Sequence, residues 1–280
     1  MIKNTQSNPL DRRTIRSFKE NLLRHGYSAN SVDTYVYSVE LFQKLCGSLS
    51  KDAIQRFKER LMETGKPATI NVRIAGINKF LQFIGRSEWK TTPVRIQNRT
   101  FIENVISEAD YESLKACLLR DGNLRGYYII WTLAATGARI SEFLQMKAEH
   151  VYRGYFDMYG KGGKMRRIYF PTRLRESFAD WLREQNIVGP IWTSTKKDGV
   201  LTANGVGTIL RSFGRRYSID VKVCHPHSFR HFYAKQFLKR SQDLTLLADL
   251  MGHESLDTTR IYLRRTADEQ REEVNRIVVW

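Results

Sequence analysis

The sequence predicts a mainly α-helical protein with one small β-sheet, divided into a helical first domain and a mixed α/β second domain. Three observations carry this reading. Apolar residues recur at helical spacing from Ile15 to Ile84. A polar, poorly periodic stretch follows at 86–106, with Pro93 and four basic residues. Beyond it, segments 151–159 and 165–170 alternate as strands do, and Gly160-Lys161-Gly162-Gly163 joins them.

Segment 11–25 places Ile15, Phe18, Leu22 and Leu23 on one helical face and stops at Gly26. Ser28 serves as N-cap to a second helix, with Val32, Tyr35, Val39 and Phe42 aligned, ending near Gly47. Ser50 opens a third helix through Met62, which Gly65 closes. Pro67 suits the first turn of a fourth, whose buried side is Ile70, Ile74, Ile77, Phe80, Leu81 and Ile84. This places the first domain at 1–90 and a linker at 91–106. Ser107, with Asp110 three residues on, caps the first helix of the second domain, 107–280. An apolar helix at 126–135 is interrupted by Gly137, and 138–146 reads as another short helix. After the two strands, helices are expected at about 173–186, 203–217, 227–240, 243–251 and 255–263. The tail, 267–280, is charged first and then apolar at Val274, Ile277, Val278 and Trp280.

A chain of 280 residues with 41% hydrophobic and 27% charged residues folds as two domains of ordinary size. Lys and Arg total 46 against 29 Asp and Glu, a net charge of +17 that favours a polyanionic partner. A basic binder of anionic membrane surfaces is the other class that such a charge admits. Three scattered cysteines are too few for a disulfide framework or a four-cysteine zinc site. The sequence has neither a signal-like apolar start nor an 18-residue apolar run, so a cytoplasmic protein that meets nucleic acid is expected.

The second domain also holds the parts needed to cut a phosphodiester without a metal: a nucleophile, positive charge for the phosphorus oxygens and an acid for the leaving oxygen. Arg139 follows a glycine turn in Thr136-Gly137-Ala138-Arg139, where a guanidinium can grip a phosphate through paired hydrogen bonds. Glu142, three residues on, shares its helical face. Taken singly, such a pair is more often a surface ion pair. Lys161 sits in the glycine-rich connection, where an ammonium can donate a proton, and Lys164 is its local competitor. His227 and Arg230 share a face of a helix that Pro226 starts. His227 and His231 also have zinc-ligand spacing, but Ser228 stands where a zinc protease carries its glutamate and no third ligand is evident, so no metal or cofactor is expected. His253 follows Gly252, and Tyr262 comes nine residues later.

As an ordered set these residues resemble the tyrosine site-specific recombinases, the phage-integrase or Xer/Cre-like family. The family pattern is an Arg in a Thr-Gly-x-Arg-x-x-Glu box, a β-hairpin Lys, His-x-x-Arg, Gly-His and a Tyr nine residues beyond that His. All five elements occur here in order, and the likeness spans nearly the whole chain. Gly160-Lys161-Gly162 matches the Xer hairpin and selects Lys161 over Lys164. Ala138, where Leu or Met is usual, is a mild departure.

The resemblance implies a SAM-like core-binding domain and a catalytic domain of the tyrosine recombinase and type IB topoisomerase type, closing on DNA as a C-shaped clamp. It implies Tyr262 as nucleophile forming a 3′-phosphotyrosyl link, and Arg139 and Arg230 as the phosphate clamp. His227 and His253 would assist proton transfer, Lys161 would protonate the 5′-oxygen, and Glu142 would support the arginines. No ATP is required, because the phosphotyrosine keeps the bond energy. The helix at 66–86 is expected in a major groove, with Asn71, Arg73, Asn78, Lys79 and also Lys164 as DNA contacts. The implied assembly is a homo-tetramer, a dimer on each inverted-repeat core site, built by exchange of a C-terminal helix at about 267–280. An accessory protein or partner recombinase accompanies some relatives. The short segment before the first helix suggests a simple Xer/Cre-like integrase, excisionase or resolvase without an arm-binding domain. A type IB topoisomerase-like relaxing enzyme and a non-catalytic DNA-binding regulator are the competing readings.

Overall fold

The computed structural model describes residues 10–95, 103–159, 165–194, 199, 201–253, 255–263 and 267–279. The chain separates into two compact units, Met1–Asn98 and Arg99–Trp280.

The first unit contains helices α1 (Arg12–Arg24), α2 (Ala29–Cys46), α3 (Lys51–Thr64) and α4 (Pro67–Phe83). Side chains start three of them: Asp11, Ser28 and Ser50 accept from the backbone N–H three residues on. Pro67 occupies the first turn of α4, where its missing N–H costs nothing. The core is aromatic, with Phe18 edge-on to Phe80 at 5.3 Å and Phe42 edge-on to Phe57 at 5.2 Å. Helix α4 lies at the centre of this packing. Six of its residues are buried, on a face facing mainly α2.

The stretch expected to be linker is partly structured. A 3₁₀ turn, Ser87–Trp89, follows α4. Beyond it Asn71 pairs with both backbone groups of Val94, at 2.9 and 2.7 Å. Asn78 bonds twice to Thr91, at 2.8 and 3.0 Å. These two amides, one above the other on α4, dock the strand-like segment 91–94 onto the first unit.

In the second unit the N–H of Ile106 donates to Ser228 Oγ at 2.8 Å. Ser107 caps α5 (Glu108–Arg120), and α6 (Leu124–Thr136) follows. Next come α7 (Ile140–Phe143), α8 (Ala148–Arg153) and an antiparallel pair, β1 (Tyr155–Tyr159) and β2 (Met165–Tyr169). Helices α9 (Thr172–Glu184), α10 (Ala203–Arg216), α11 (Pro226–Ser241), α12 (Leu244–Met251) and α13 (Leu256–Arg260) complete the body. A 3₁₀ turn, Ile261–Leu263, and α14 (Ala267–Ile277) end the unit. The main core gathers Phe143, Phe178, Trp181, Trp192 and Phe229 around α6.

Three boundaries differ from the sequence expectation. Residues 151–153 are helical rather than strand, because Val151 is buried with Ala148 at helical spacing while Tyr152 and Arg153 are both exposed, and Gly154 then ends α8 at φ +87. Helix α7 has four residues instead of the nine expected, since tight three-residue turns at Gln145 and Met146 replace its continuation. Segment 255–263 divides into α13 and the 3₁₀ turn, so Tyr262 stands on the tighter turn. No described helix is long and apolar enough to cross a membrane.

Candidate active site

The site is assembled where five segments meet: the turn before α7, strand β2, the start of α11, the end of α12 and the 3₁₀ turn Ile261–Leu263. Gly137 ends α6 at φ +59, and a side chain there would collide with the Tyr233 ring. Arg139 follows as the N-cap of α7. Its backbone N–H donates to Glu142 Oε2 at 2.6 Å and its Nη1 to Glu142 Oε1 at 2.9 Å. One carboxylate thereby fixes both ends of Arg139.

Glu142 is buried, and Arg166 Nη1 is its second cationic partner. Burial alone works to raise its carboxyl. Arg166 and Arg139 overcome that and hold it below its ordinary value. Arg166 belongs to β2 and is itself buried, with Nε donating to Leu250 O at 2.9 Å.

Arg230 is 3% exposed and donates to Gly137 O at 2.5 Å and to Met251 O at 2.7 Å. Burial, together with Arg166 and Arg139, lowers its pKa to about 10, so it stays charged at neutral pH. Its Nη2 also lies 3.1 Å from His253 Nε2. A guanidinium only donates, so Nε2 carries the lone pair and the ring proton sits on Nδ1, which lies 2.8 Å from Thr259 Oγ1. Burial and the three arginines lower His253 to about 4, leaving it neutral at pH 7.

Tyr262 is 4% exposed, its ring parallel to His253 at 6.0 Å and edge-on to His231 at 5.0 Å. Burial raises its pKa, while Arg230 and then Arg139 work the other way. The aliphatic wall behind it is Ala234, Leu238, Leu247 and Met251.

The three neighbouring histidines have separate tasks. His225 caps α11, its Nδ1 accepting from Ser228 N at 3.2 Å. His231 is buried among the rings of His227 and Tyr262, and burial lowers it to about 3. His227 is exposed, open to a ligand. Among the described residues no group of three or more His, Cys, Asp or Glu is arranged to hold a metal ion.

The structure thus brings together Arg139, Glu142, His227, Arg230, His253 and Tyr262. Lys161 and Lys164 lie outside the described residues. Of the expected DNA contacts in the first unit, Asn71 and Asn78 bond through their amides to Val94 and Thr91 of the same unit. Arg73 is half-buried, stacked over Tyr37 at 4.4 Å and donating to Thr34 O at 3.4 Å, and Lys79 lies over Tyr27 at 5.5 Å. Arg166 is the site residue that sequence reasoning missed. Its alternation with buried Ile168 on β2, against exposed Met165 and Tyr169, is the signal that marks it as inward.

The phage integrase family model matches residues 104–269, more than half of the chain and all of these groups. The chain belongs to the phage integrase family. The model of the N-terminal SAM-like domain of phage integrases matches residues 15–88. Among curated relatives, the tyrosine recombinase XerA of Pyrococcus furiosus is 29% identical over 273 residues, covering 94% of this chain and 93% of XerA. The TnP I resolvase of Bacillus thuringiensis is 24% identical, covering 88% of this chain and 93% of the resolvase. A Tn1549 transposon integrase in complex with transposon right end DNA superposes with a TM-score of 0.68 at 17% identity, covering 95% of this chain and 99% of that one. XerH bound to its difH substrate gives 0.67 at 18%, covering 96% and 84%. The recombinase therefore has a SAM-like first domain and the tyrosine recombinase catalytic fold. It is a site-specific DNA recombinase, and its partner is DNA.

Proposed function

We propose that Tyr262 is the nucleophile of strand exchange. Its phenolic oxygen bonds to the scissile phosphorus as the P–O5′ bond breaks, leaving a 3′-phosphotyrosyl link and a free 5′-hydroxyl. Arg139 and Arg230 hold the non-bridging oxygens, whose charge grows in the transition state. His253 is neutral and its Nε2 accepts from Arg230, which suits it to hold that guanidinium toward the phosphate and to assist proton transfer beside Tyr262. His227 hydrogen-bonds the phosphate, Lys161 protonates the departing 5′-oxygen, and Glu142 keeps Arg139 aimed. Rejoining runs the same step backwards with a second 5′-hydroxyl.

The observation that carries this reading is the convergence of Arg139, Arg230, His253 and Tyr262 on residues 251–253. Three guanidiniums against one carboxylate and neutral imidazoles leave a net charge of +2. That matches the doubly negative pentacovalent phosphorus of the transition state.

The enzyme acts, in this reading, as a tetramer on two inverted-repeat core sites in the cytoplasm, passing α14 between subunits. Val274, Ile277 and Val278 are 56%, 51% and 44% exposed, which supports an apolar tail awaiting a partner. Covalent capture tests the chemistry. Protein is incubated with a library of nicked duplexes, denatured in detergent, and the attached DNA is sequenced, with Tyr262→Phe in parallel. An adduct formed only by wild type is expected, and its sequence gives the core site. An adduct that persists in Tyr262→Phe refutes the assignment. Deleting 268–280 should spare site binding and abolish synapsis; intact synapsis refutes the exchange.

A further inference from the structure

The carbonyls of three consecutive residues at the end of α12 each receive a different guanidinium. Arg166 Nε reaches Leu250 O at 2.9 Å, Arg230 Nη2 reaches Met251 O at 2.7 Å, and Arg139 Nη2 reaches Gly252 O at 2.9 Å. The next residue is His253. Two of these arginines belong to the phosphate clamp. The third, Arg166, comes from strand β2 and is not among the motif residues named above.

Arg166 differs from the other two in what remains free. Its Nη1 is held by Glu142 and its Nε by Leu250 O, while Nη2 is buried with no hydrogen-bond partner. An unsatisfied buried donor is costly, and burying a guanidinium costs more still, so packing alone is a poor reason for this residue type. Strand alternation sends it inward, whereas Arg167 turns out to make a two-pronged pair with Asp157 at 2.7 and 2.9 Å. Its aliphatic stem also crosses Gly252. That residue has φ +61, and any side chain there would collide with Arg166 Cδ.

We propose that Arg166 is a positioning residue of the cleavage reaction, its fork tying Glu142, and through it Arg139, to the turn that presents His253. It acts on the phosphate only through these groups. A planar fork can hold a carboxylate and a carbonyl in fixed relation, whereas an ammonium can satisfy one or the other. The inference rests on the recombinase reading of Arg139, His253 and Tyr262, and it adds a member that touches no substrate.

The test uses the full-length protein and the nicked core-site duplex. Affinity for the duplex, the single-turnover rate of adduct formation and the thermal midpoint are measured for wild type, Arg166→Lys and Arg166→Met. In Arg166→Lys the Kd stays at the wild-type value, while the adduct rate falls on the order of 100-fold, as expected for a misplaced clamp. The deficit persists when the 5′-oxygen is replaced by sulfur, which departs without an acid. Arg166→Met leaves Glu142 on Arg139 but cuts the tie to Leu250 O, so its rate falls at least as far. Equal losses in affinity and rate, rescue by sulfur, or a wild-type rate in Arg166→Met would each overturn the proposal. The first makes Arg166 a fold-holding residue, the second places its effect at the leaving group, and the third shows that Glu142 holds Arg139 without it. Failure of the underlying reading is separable, because wild type itself would then give no Tyr262-dependent adduct.

Discussion

Replacing Glu142 by Gln puts an amide where three donors converge. Arg139 N, Arg139 Nη1 and Arg166 Nη1 all point at the carboxylate, and one amide end can only donate. The substitution also leaves three guanidiniums without a counter-charge. Breaking a buried ion pair by removing one partner costs about 3–5 kcal/mol. The Arg139 side chain is 42% exposed, so water screens that half of the network and the lower end, about 3 kcal/mol, applies. For a unit of about 180 residues, that lowers the melting temperature by roughly 6–12 °C. The sign with pH is fixed. Glu142 titrates below its ordinary value of 4.5 when folded, so its contribution is fully present above pH 4.5 and is lost as pH falls through the folded pKa. Thermal unfolding of wild type and Glu142→Gln, followed by circular dichroism from pH 8 down to 4, measures the gap. It should be constant at neutral pH and begin to close below 4.5. A gap under about 2 °C at pH 7 refutes the buried-network argument, and so does one that widens on acidification.

Two further predictions concern other parts of the molecule. In the DNA-free enzyme, the NMR titration of the His253 ring should have its midpoint near 4, because burial and three guanidiniums oppose the imidazolium; a midpoint of 6 or above contradicts the described site. Changing Asn71 and Asn78 together to Ala should open segment 91–94 to proteases and leave the preference for the core site over random duplex unchanged. A lost preference would instead make them base contacts.

What the sequence made legible was local. Helix starts at Ser28, Ser50, Ser107 and Pro226 are written in single residues, because a cap acts on the N–H groups of its own first turn. The Arg139–Glu142 bond is likewise a three-residue interaction, visible as spacing. What stayed hidden depended on distant segments. Asn71 and Asn78 sit two turns apart on one face, as groove-reading residues do, but their partners lie at 91–94, and no spacing rule identifies them. Arg166 and Arg167 are adjacent and chemically identical. Only the register that pairs Arg166 with Met158 and Arg167 with Asp157 separates the inward residue from the outward one. His225, His227 and His231 also read alike until α11 turns one into a cap, one outward and one into the core.

The end of α12 has a consequence for the sign of the field that a phosphate meets. A helix C-terminus carries about half a unit of negative charge from its unpaired carbonyls and repels anions. The most direct way to place a histidine beside a phosphate, at the last turn of a helix, would therefore set a repulsive pole beside the anion. Here the carbonyls of Leu250, Met251 and Gly252 each face a guanidinium, so the pole is covered by cations before DNA arrives. The helix terminus serves as an anchor for positive charge, and an anion approaching His253 meets an attractive surface where the bare backbone would have repelled it.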